Sequence, residues 1–229
     1  MTTVQLEDGA IEALVRARRR DLLVADDPLR GRRIYIPLHQ VKGFKGAFAA
    51  ESAVPAGGSR ASGEVPSAQA NGGKPDDDGD GAEALPTGYR AMLLEAKGTF
   101  AEVRLSARQA LHGYLAGVMN DFALFCTPLH GAVLLPLQHV QALSPYPAGL
   151  APYRLEPEQF PIRPLSLGLS RHFEQQLERL EGEMTVLCRG FLPDVAGVLG
   201  PVRDGFVPVT EADGGRLLLP VSALRAVFL

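Results

Sequence analysis

Asp121-Phe122-Ala123-Leu124-Phe125, a turn from Pro128 to Gly131, then Val133-Leu134-Leu135-Pro136-Leu137 and Val140 is the stretch that decides the fold, because the chain repeats it twice more. The earlier copy runs Asp21-Leu22-Leu23-Val24, turns through Pro28 and Gly31, and continues Ile34-Tyr35-Ile36-Pro37-Leu38 to Val41. The later copy runs Asp204-Gly205-Phe206-Val207, turns at Asp213-Gly214-Gly215, and continues Leu217-Leu218-Leu219-Pro220-Val221 to Leu224. An apolar strand, a glycine turn, a second apolar strand halted by proline and a last short strand recur at nearly constant spacing, which is the signature of a repeated structural unit. Within those strands Ile34, Tyr35, Leu134, Leu135, Leu217 and Leu218 read as core.

Outward from each copy the pattern stays that of strands. Val4-Gln5-Leu6, an Asp8-Gly9 turn and residues 11–15 form a hairpin signal ahead of the first copy. Ahead of the middle copy, residues 91–96 and 100–105 read as two strands joined at Lys97-Gly98, with a long strand over 111–118 that Gly113 and Gly117 allow to bend. Ahead of the last copy, 184–188 and 195–199 flank a turn at Pro193-Asp194. One helix is predicted over 170–181: Ser170 can cap it, Phe173, Leu177 and Leu180 fall at i, i+4 and i+7, and Gly182 stops it.

Two stretches break the pattern. Residues 48–87 turn to Ala, Gly, Ser, Pro and Asp, with too little apolar mass to offset the entropy of ordering, and read as a disordered insertion. Its Asp76-Asp77-Asp78-Gly79-Asp80 tract lacks the terminal Glu and flanking helices of an EF-hand and reads as solvated. Residues 145–169 are proline-rich but carry Tyr146, Tyr153 and Phe160, as expected of an extended connector that packs on its neighbours. The organisation is therefore a first β-barrel unit over 1–47, the insertion over 48–87, a second unit over 88–144, the connector over 145–169, and a helix plus third unit over 170–229. The fold class is mainly β, in tandem small five-stranded barrels.

Composition excludes several functions. A net charge of −3 over 229 residues argues against a strongly basic nucleic-acid binder. Cys126 and Cys188 each sit in an apolar run and read as small buried thiols, not as a disulfide or metal pair. The start of the sequence lacks a signal-peptide pattern and no stretch has the apolar length to span a bilayer, so the expected address is cytoplasmic. The five histidines, His39, His112, His130, His139 and His172, show no metal-ligand spacing, and Gly-x-Ser-x-Gly, P-loop and dinucleotide patterns are absent. Ser59 and Ser62 lie in the insertion, where no nucleophile is held in place. The expectation is a non-enzyme without cofactor, metal or small-molecule ligand. One charged cluster stands out, the run Arg16, Arg18, Arg19 and Arg20. It is either a grip for phosphates or an acidic partner, or a solvated strand end, and the other two copies lack it.

A five-strand unit with a Gly-x-Leu-x-x-Val strand, an Asp-led strand and a closing Pro-Leu-x-x-Val resembles the Sm-like small β-barrels. More narrowly, the run from Leu111-His112-Gly113-Tyr114-Leu115-Ala116-Gly117-Val118 to Leu135-Pro136-Leu137-Gln138-His139-Val140 is similar to a small family of uncharacterised domains of spore-forming Bacillus relatives, spore-coat-associated proteins among them. The resemblance implies a short helical turn between the last two strands of each copy, opened by the repeat-defining Pro37, Pro136 and Pro220. It implies a structural or assembly protein of the spore coat, acting through strand edges on other proteins, coat proteins or further copies of itself. The alternative it leaves open is an Sm-like RNA-binding or regulatory protein using Arg16, Arg18, Arg19 and Arg20; the copies share no loop aromatic for base stacking.

Overall fold

The repeated phrases fold as strand pairs, and each gathers three more strands to itself. In the first group these are β1 (Thr2–Leu6), β2 (Gly9–Arg18), β3 (Leu22–Asp26), β4 (Arg33–Pro37) and β5 (Val41–Gly46). The second holds β6 (Phe100–Arg104), β7 (Ala110–Val118), β8 (Phe122–Thr127), β9 (Gly131–Pro136) and β10 (Ala142–Pro145). The third holds β11 (Met184–Arg189), β12 (Leu192–Leu199), β13 (Phe206–Thr210), β14 (Arg216–Pro220) and β15 (Ala226–Phe228). A short helix precedes each of the last two groups, α1 (Tyr89–Glu95) and α2 (Phe173–Glu178). The structure, a computed structural model, describes residues 1–46, 85–155 and 168–229. Most of the insertion expected over 48–87 and of the connector expected over 145–169 lies outside the described residues.

The fifteen strands form one open antiparallel sheet. Within every group the order is fourth, third, second, first, fifth, so the last strand returns to lie beside the first. Groups are joined by one rule: the fourth strand of a group pairs with the fifth strand of the next, as Tyr35↔Leu143 between β4 and β10 and Leu134↔Val227 between β9 and β15. The third strands of the first two groups, β3 and β8, are buried on both faces. Alternate residues of β8 point to different cores, Ala123 and Phe125 to one, Phe122, Leu124 and Cys126 to the next. Likewise Leu22 and Val24 of β3 face the core of the second group, while Leu23 and Ala25 face that of the first. A strand with two apolar faces has no solvent side, which explains its unbroken hydrophobic sequence.

A small residue holds one register position of the second strand in each group, Ala13, Gly113 or Gly197, and at the two glycines the end of the third strand approaches closely. A Cβ on Gly113 would run into the Cys126 carbonyl. Just beyond, the β2–β3 and β7–β8 ladders slip by one residue, bulges that bend the long second strand.

Several sequence expectations are corrected. Residues 91–95, read as part of a strand, belong to α1, and Ala96 caps its end. Ala, Met, Leu and Glu are strong helix formers, and Tyr89, Met92, Leu93 and Ala96 at helical spacing fill the second group's core. Among the described residues there are thus two α-helices, not one. The helix expected over 170–181 shortens to α2, and Ser170 does not cap it. The last hairpin turns at Gly190, with φ 75°, and Pro193-Asp194 lies inside β12. Leu85 packs on the second group's core and Pro86 is buried. Leu218 is exposed and Leu217 only half-buried, for a reason that the joints explain. No helix among the described residues is long and apolar enough to cross a membrane.

Candidate assembly surface

The two internal joints are built from the same parts. The carbonyl oxygen of Asp21 accepts the Leu38 N–H at 2.9 Å and that of Asp121 accepts the Leu137 N–H at 2.8 Å, each pinning a proline turn. The carboxylates of the same two residues reach forward. Asp21 Oδ1 accepts the Tyr89 N–H and Asp121 Oδ1 the Phe173 N–H, both at 2.9 Å. Each aspartate thereby caps the helix of the following group, satisfying an orphan donor and placing negative charge at the helix start. Its neighbour, Leu22 or Phe122, is fully buried beneath that helix, Phe122 with its ring 5.9 Å from Phe173. The strand ladder completes the joint, with the Ser144 hydroxyl donating to the Arg33 carbonyl at 2.7 Å and the Leu229 N–H to the Ala132 carbonyl at 3.0 Å.

A charged knot locks the first joint. Glu102 on β6, 5% exposed, accepts from Arg30 at 2.8 Å and Arg32 at 2.6 Å, both from the β3–β4 turn of the first group, and from Arg104 at 3.3 Å. Burial alone would raise the Glu102 carboxyl, but the Arg32 hydrogen bond and the charges of Arg32 and Arg30 outweigh it and hold the group below its ordinary range. Arg32 also lies 4.2 Å from the Tyr146 ring centre, and the Tyr146 hydroxyl is 3.0 Å from His112 Nδ1. Tyr146 and Tyr153 pack against Phe100 at 5.2 and 6.1 Å between ring centres, so this part of the expected connector is seated on the second group.

At the third group the same positions lie open. The Val221 N–H bonds the carbonyl of Gly205 at 2.8 Å, so Gly205, not Asp204, stands where Asp21 and Asp121 stand. Phe206 follows, paired with Pro220 as Phe122 is with Pro136 and Leu22 with Pro37. Phe206 is 43% exposed where Phe122 is fully buried, and Leu218, in the place of Leu134 and Tyr35, is 61% exposed. β14 is one end of the sheet and β5 is the other. Leu218 reads as core in the sequence because it repeats the position of buried Leu134 and half-buried Tyr35; it is bare because, among the described residues, no further group lies on β14.

The other candidate residues are dispersed. Arg16 and Arg18 lie on the end of β2 and Arg19 and Arg20 in the turn after it; all are exposed, and Arg16 is ion-paired with Asp26 at 2.6 Å. Pro37, Pro136 and Pro220 each open a three-residue 3-10 turn, at Leu38–Gln40, Leu137–His139 and Val221–Ala223. Neighbouring proline turns touch, through Gln40 on the Gln138 carbonyl and His139 Nε2, 2.8 Å from the Ser222 carbonyl. Between the second and third proline turns lies a cleft of about 480 Å³ lined by Asp121, Gln138, Phe173, Glu174 and Ser222. The Asp121 carboxylate there is engaged by α2 and by His172 at 3.4 Å. Among the described residues no three His, Cys, Asp or Glu side chains gather as metal ligands. Cys126 and Cys188 are free, buried thiols whose burial raises their pKa. Sequence reasoning missed the roles of Asp21, Asp121 and Glu102. The signal for the first two was the aspartate opening the repeated phrase, and for Glu102 there was none.

No protein-family model matches the chain, and no solved structure matches it. The uncharacterized protein YwrJ of Bacillus subtilis (strain 168) is similar to it, 29% identical over 148 residues, which cover 65% of this chain and 66% of that protein. The chain thus spans just under two thirds of the length of that relative.

Proposed function

We propose that the protein is a non-catalytic assembly component that works by protein–protein contact through the free edge and bare face of β13–β14. The observation that carries this reading is the third group's apolar face: Phe206 occupies the position at which the earlier groups bury Leu22 and Phe122 in a joint, and Leu218 the position of buried Leu134 and half-buried Tyr35. Large apolar side chains at the end of an unpaired strand are a contact surface or an aggregation hazard, and one whose geometry is already used twice inside the chain is a contact surface. Each group, with its strand order and 3-10 turn, is read here as a small Sm-like barrel. The resemblance of the middle copy to domains of spore-forming Bacillus relatives supports the spore coat as the setting.

A second reading rests on the exposure of Arg18, Arg19 and Arg20, which together make a phosphate-binding edge. The two separate in one experiment, the mass of the purified protein in solution across a concentration series, with and without mixed RNA. Assembly predicts a mass that rises with concentration, is indifferent to RNA, and survives replacement of the arginines. A monomer that shifts only with RNA and returns at high salt overturns it in favour of the arginine edge.

A further inference from the structure

The outer edge of β14 is complementary to itself. We infer that a second copy of this chain pairs with it strand to strand, β14 against β14, antiparallel about a two-fold axis at Leu218. This rests on the assembly reading above and names its partner.

The main chain decides what the edge offers. The Val221 N–H bonds the Gly205 carbonyl at 2.8 Å and the Glu211 N–H bonds the Gly215 carbonyl at 2.9 Å. An antiparallel ladder is bonded at alternate pairs, so the bonded pairs between those two are Val207↔Leu219 and Val209↔Leu217. The prolines agree: Pro208 and Pro220, which have no N–H, fall on the other pairs, and the Pro208 carbonyl turns to the β12 side, where it accepts the Gly200 N–H at 2.8 Å. Arg216, Leu218 and Pro220 therefore turn their main-chain groups away from β13, and among the described residues no strand lies there. At the position of Leu218 both internal joints are closed by an antiparallel strand, as Tyr35↔Leu143 and Leu134↔Val227. Those joints also bring a helix capped by an aspartate, whereas Gly205 has no carboxylate to cap one. The partner that fits β14 is thus an antiparallel strand without a helix ahead of it, and β14 is itself such a strand.

Side chains and charge choose the register. Centred on Leu218, all five residues of Arg216–Pro220 overlap. Leu218 of each copy then donates to and accepts from Leu218 of the other, and each Arg216 N–H meets the Pro220 carbonyl of the other copy. The missing proline N–H falls at the wet ends of the pairing. Centring on Arg216 would set two guanidiniums face to face, centring on Leu217 would lay each Arg216 on the other copy's Leu218, and centring on Leu219 would shorten the overlap to three residues. With Leu218 on the axis the exposed arginines stand at opposite ends, as like charges require. Paired residues of an antiparallel sheet share a face, so the two Leu218 side chains, each 61% exposed in the single chain, cover one another, with Phe206 and Pro208 of each copy beside them. One strand pair and one leucine contact make a weaker joint than those within the chain, so it depends on concentration. It is isologous and closes at two chains.

The test uses Leu218→Glu and Leu218→Lys in the full chain, each verified as folded by circular dichroism, with mass read by sedimentation and light scattering. The wild type passes from one chain to two as concentration rises and stops there. Either variant alone sets like charges opposite each other and loses the leucine contact, which weakens the pair by about 10-fold or more. An equal mixture of the two recovers association, as a pair with one chain of each, because Glu then faces Lys across the axis. That recovery requires position 218 to meet itself, so no head-to-tail contact produces it. A wild type that associates while both variants do so equally, that grows beyond two chains, or whose variants do not recover on mixing, overturns the two-fold pairing and leaves the assembly reading standing. A wild type that is monomeric throughout overturns both. Leu218→Cys supplies an independent readout, since residues facing each other across a bonded antiparallel pair have Cα atoms about 5.5 Å apart, within disulfide reach, while the native Cys126 and Cys188 are buried. On oxidation this single variant crosslinks into a dimer where the wild type does not, and associated protein that gives no crosslink overturns the register.

Discussion

Phe122 and Phe206 are the same residue at the same register position, one sealed in a joint and the other at the end of the sheet. Their truncation therefore isolates what a joint contributes. Phe122 is 0% exposed and packs with Phe173, Leu177 and the third group's core, so Phe122→Ala forfeits the transfer energy of a whole aromatic side chain and leaves a cavity. Such changes cost about 3–5 kcal/mol. For a chain of this size that lowers Tm by about 6–20 °C. Phe206 keeps 43% of its surface in water and leaves no closed cavity, so Phe206→Ala costs about 1 kcal/mol or less. The assay is urea unfolding followed by far-UV circular dichroism, at a protein concentration low enough that the molecule is monomeric. Midpoints shift with little change in slope if only stability has moved. Equal losses for the two variants would refute the assignment of Phe206 to an open copy of the position that Phe122 fills.

Three further outcomes follow from the joints and cores. The Glu102 carboxyl is held low in the folded state, so its contribution is fully present above the ordinary carboxylate pKa and is lost as pH falls through the lowered folded value; Glu102→Gln costs about 3 kcal/mol at neutral pH, and its urea midpoint converges on that of the wild type on acidification. A deficit that is constant with pH would show that the charge is not the source. Asp121→Ala loses about 1 kcal/mol in thermal melts, Asp121→Asn keeps the acceptor and most of the stability, and Asp204→Ala, which faces no helix, changes little. Gly113→Val drives a side chain into the Cys126 backbone and destabilises by about 1–3 kcal/mol or more, while Gly117→Ala meets only the flexible end of Met119 at 3.4 Å and is tolerated; similar melts for both would contradict the close approach.

The strands and the proline turns were legible because their signals are local. Pro37, Pro136 and Pro220 stop a strand by chemistry that proline carries wherever it sits, and Gly113 and Gly117 permit a bend in a long strand whatever lies beside it, whereas the approach of the Cys126 backbone to Gly113 was not legible. Residues 91–96 were misread because a short apolar run fits a strand and a buried helix equally well, and the deciding fact, that Tyr89, Met92 and Leu93 lie beneath the preceding group's β3, is non-local. Beyond the aspartate that opens the repeated phrase, the joints leave no mark of their own in the sequence. Nothing in Tyr35 or Leu143 announces that they pair, and nothing in Glu102 announces that arginines about 70 residues earlier will bury it. The offset in the last copy was hidden for a different reason. Asp204 aligns by residue type with Asp21 and Asp121, whereas backbone hydrogen bonding places Gly205 there, and that one-residue shift separates an end from a joint.

Amide hydrogen exchange at low and high protein concentration tests the central claim most directly, because it reads the strand edges themselves. If the protein assembles through the edge of β14, Arg216–Pro220 gains protection as the mass rises, while Phe206–Thr210, already paired on its far side, changes much less. A rise in mass with that edge unprotected would contradict the account, as would protection that appears only on adding RNA and is confined to the segment around Arg16–Arg20.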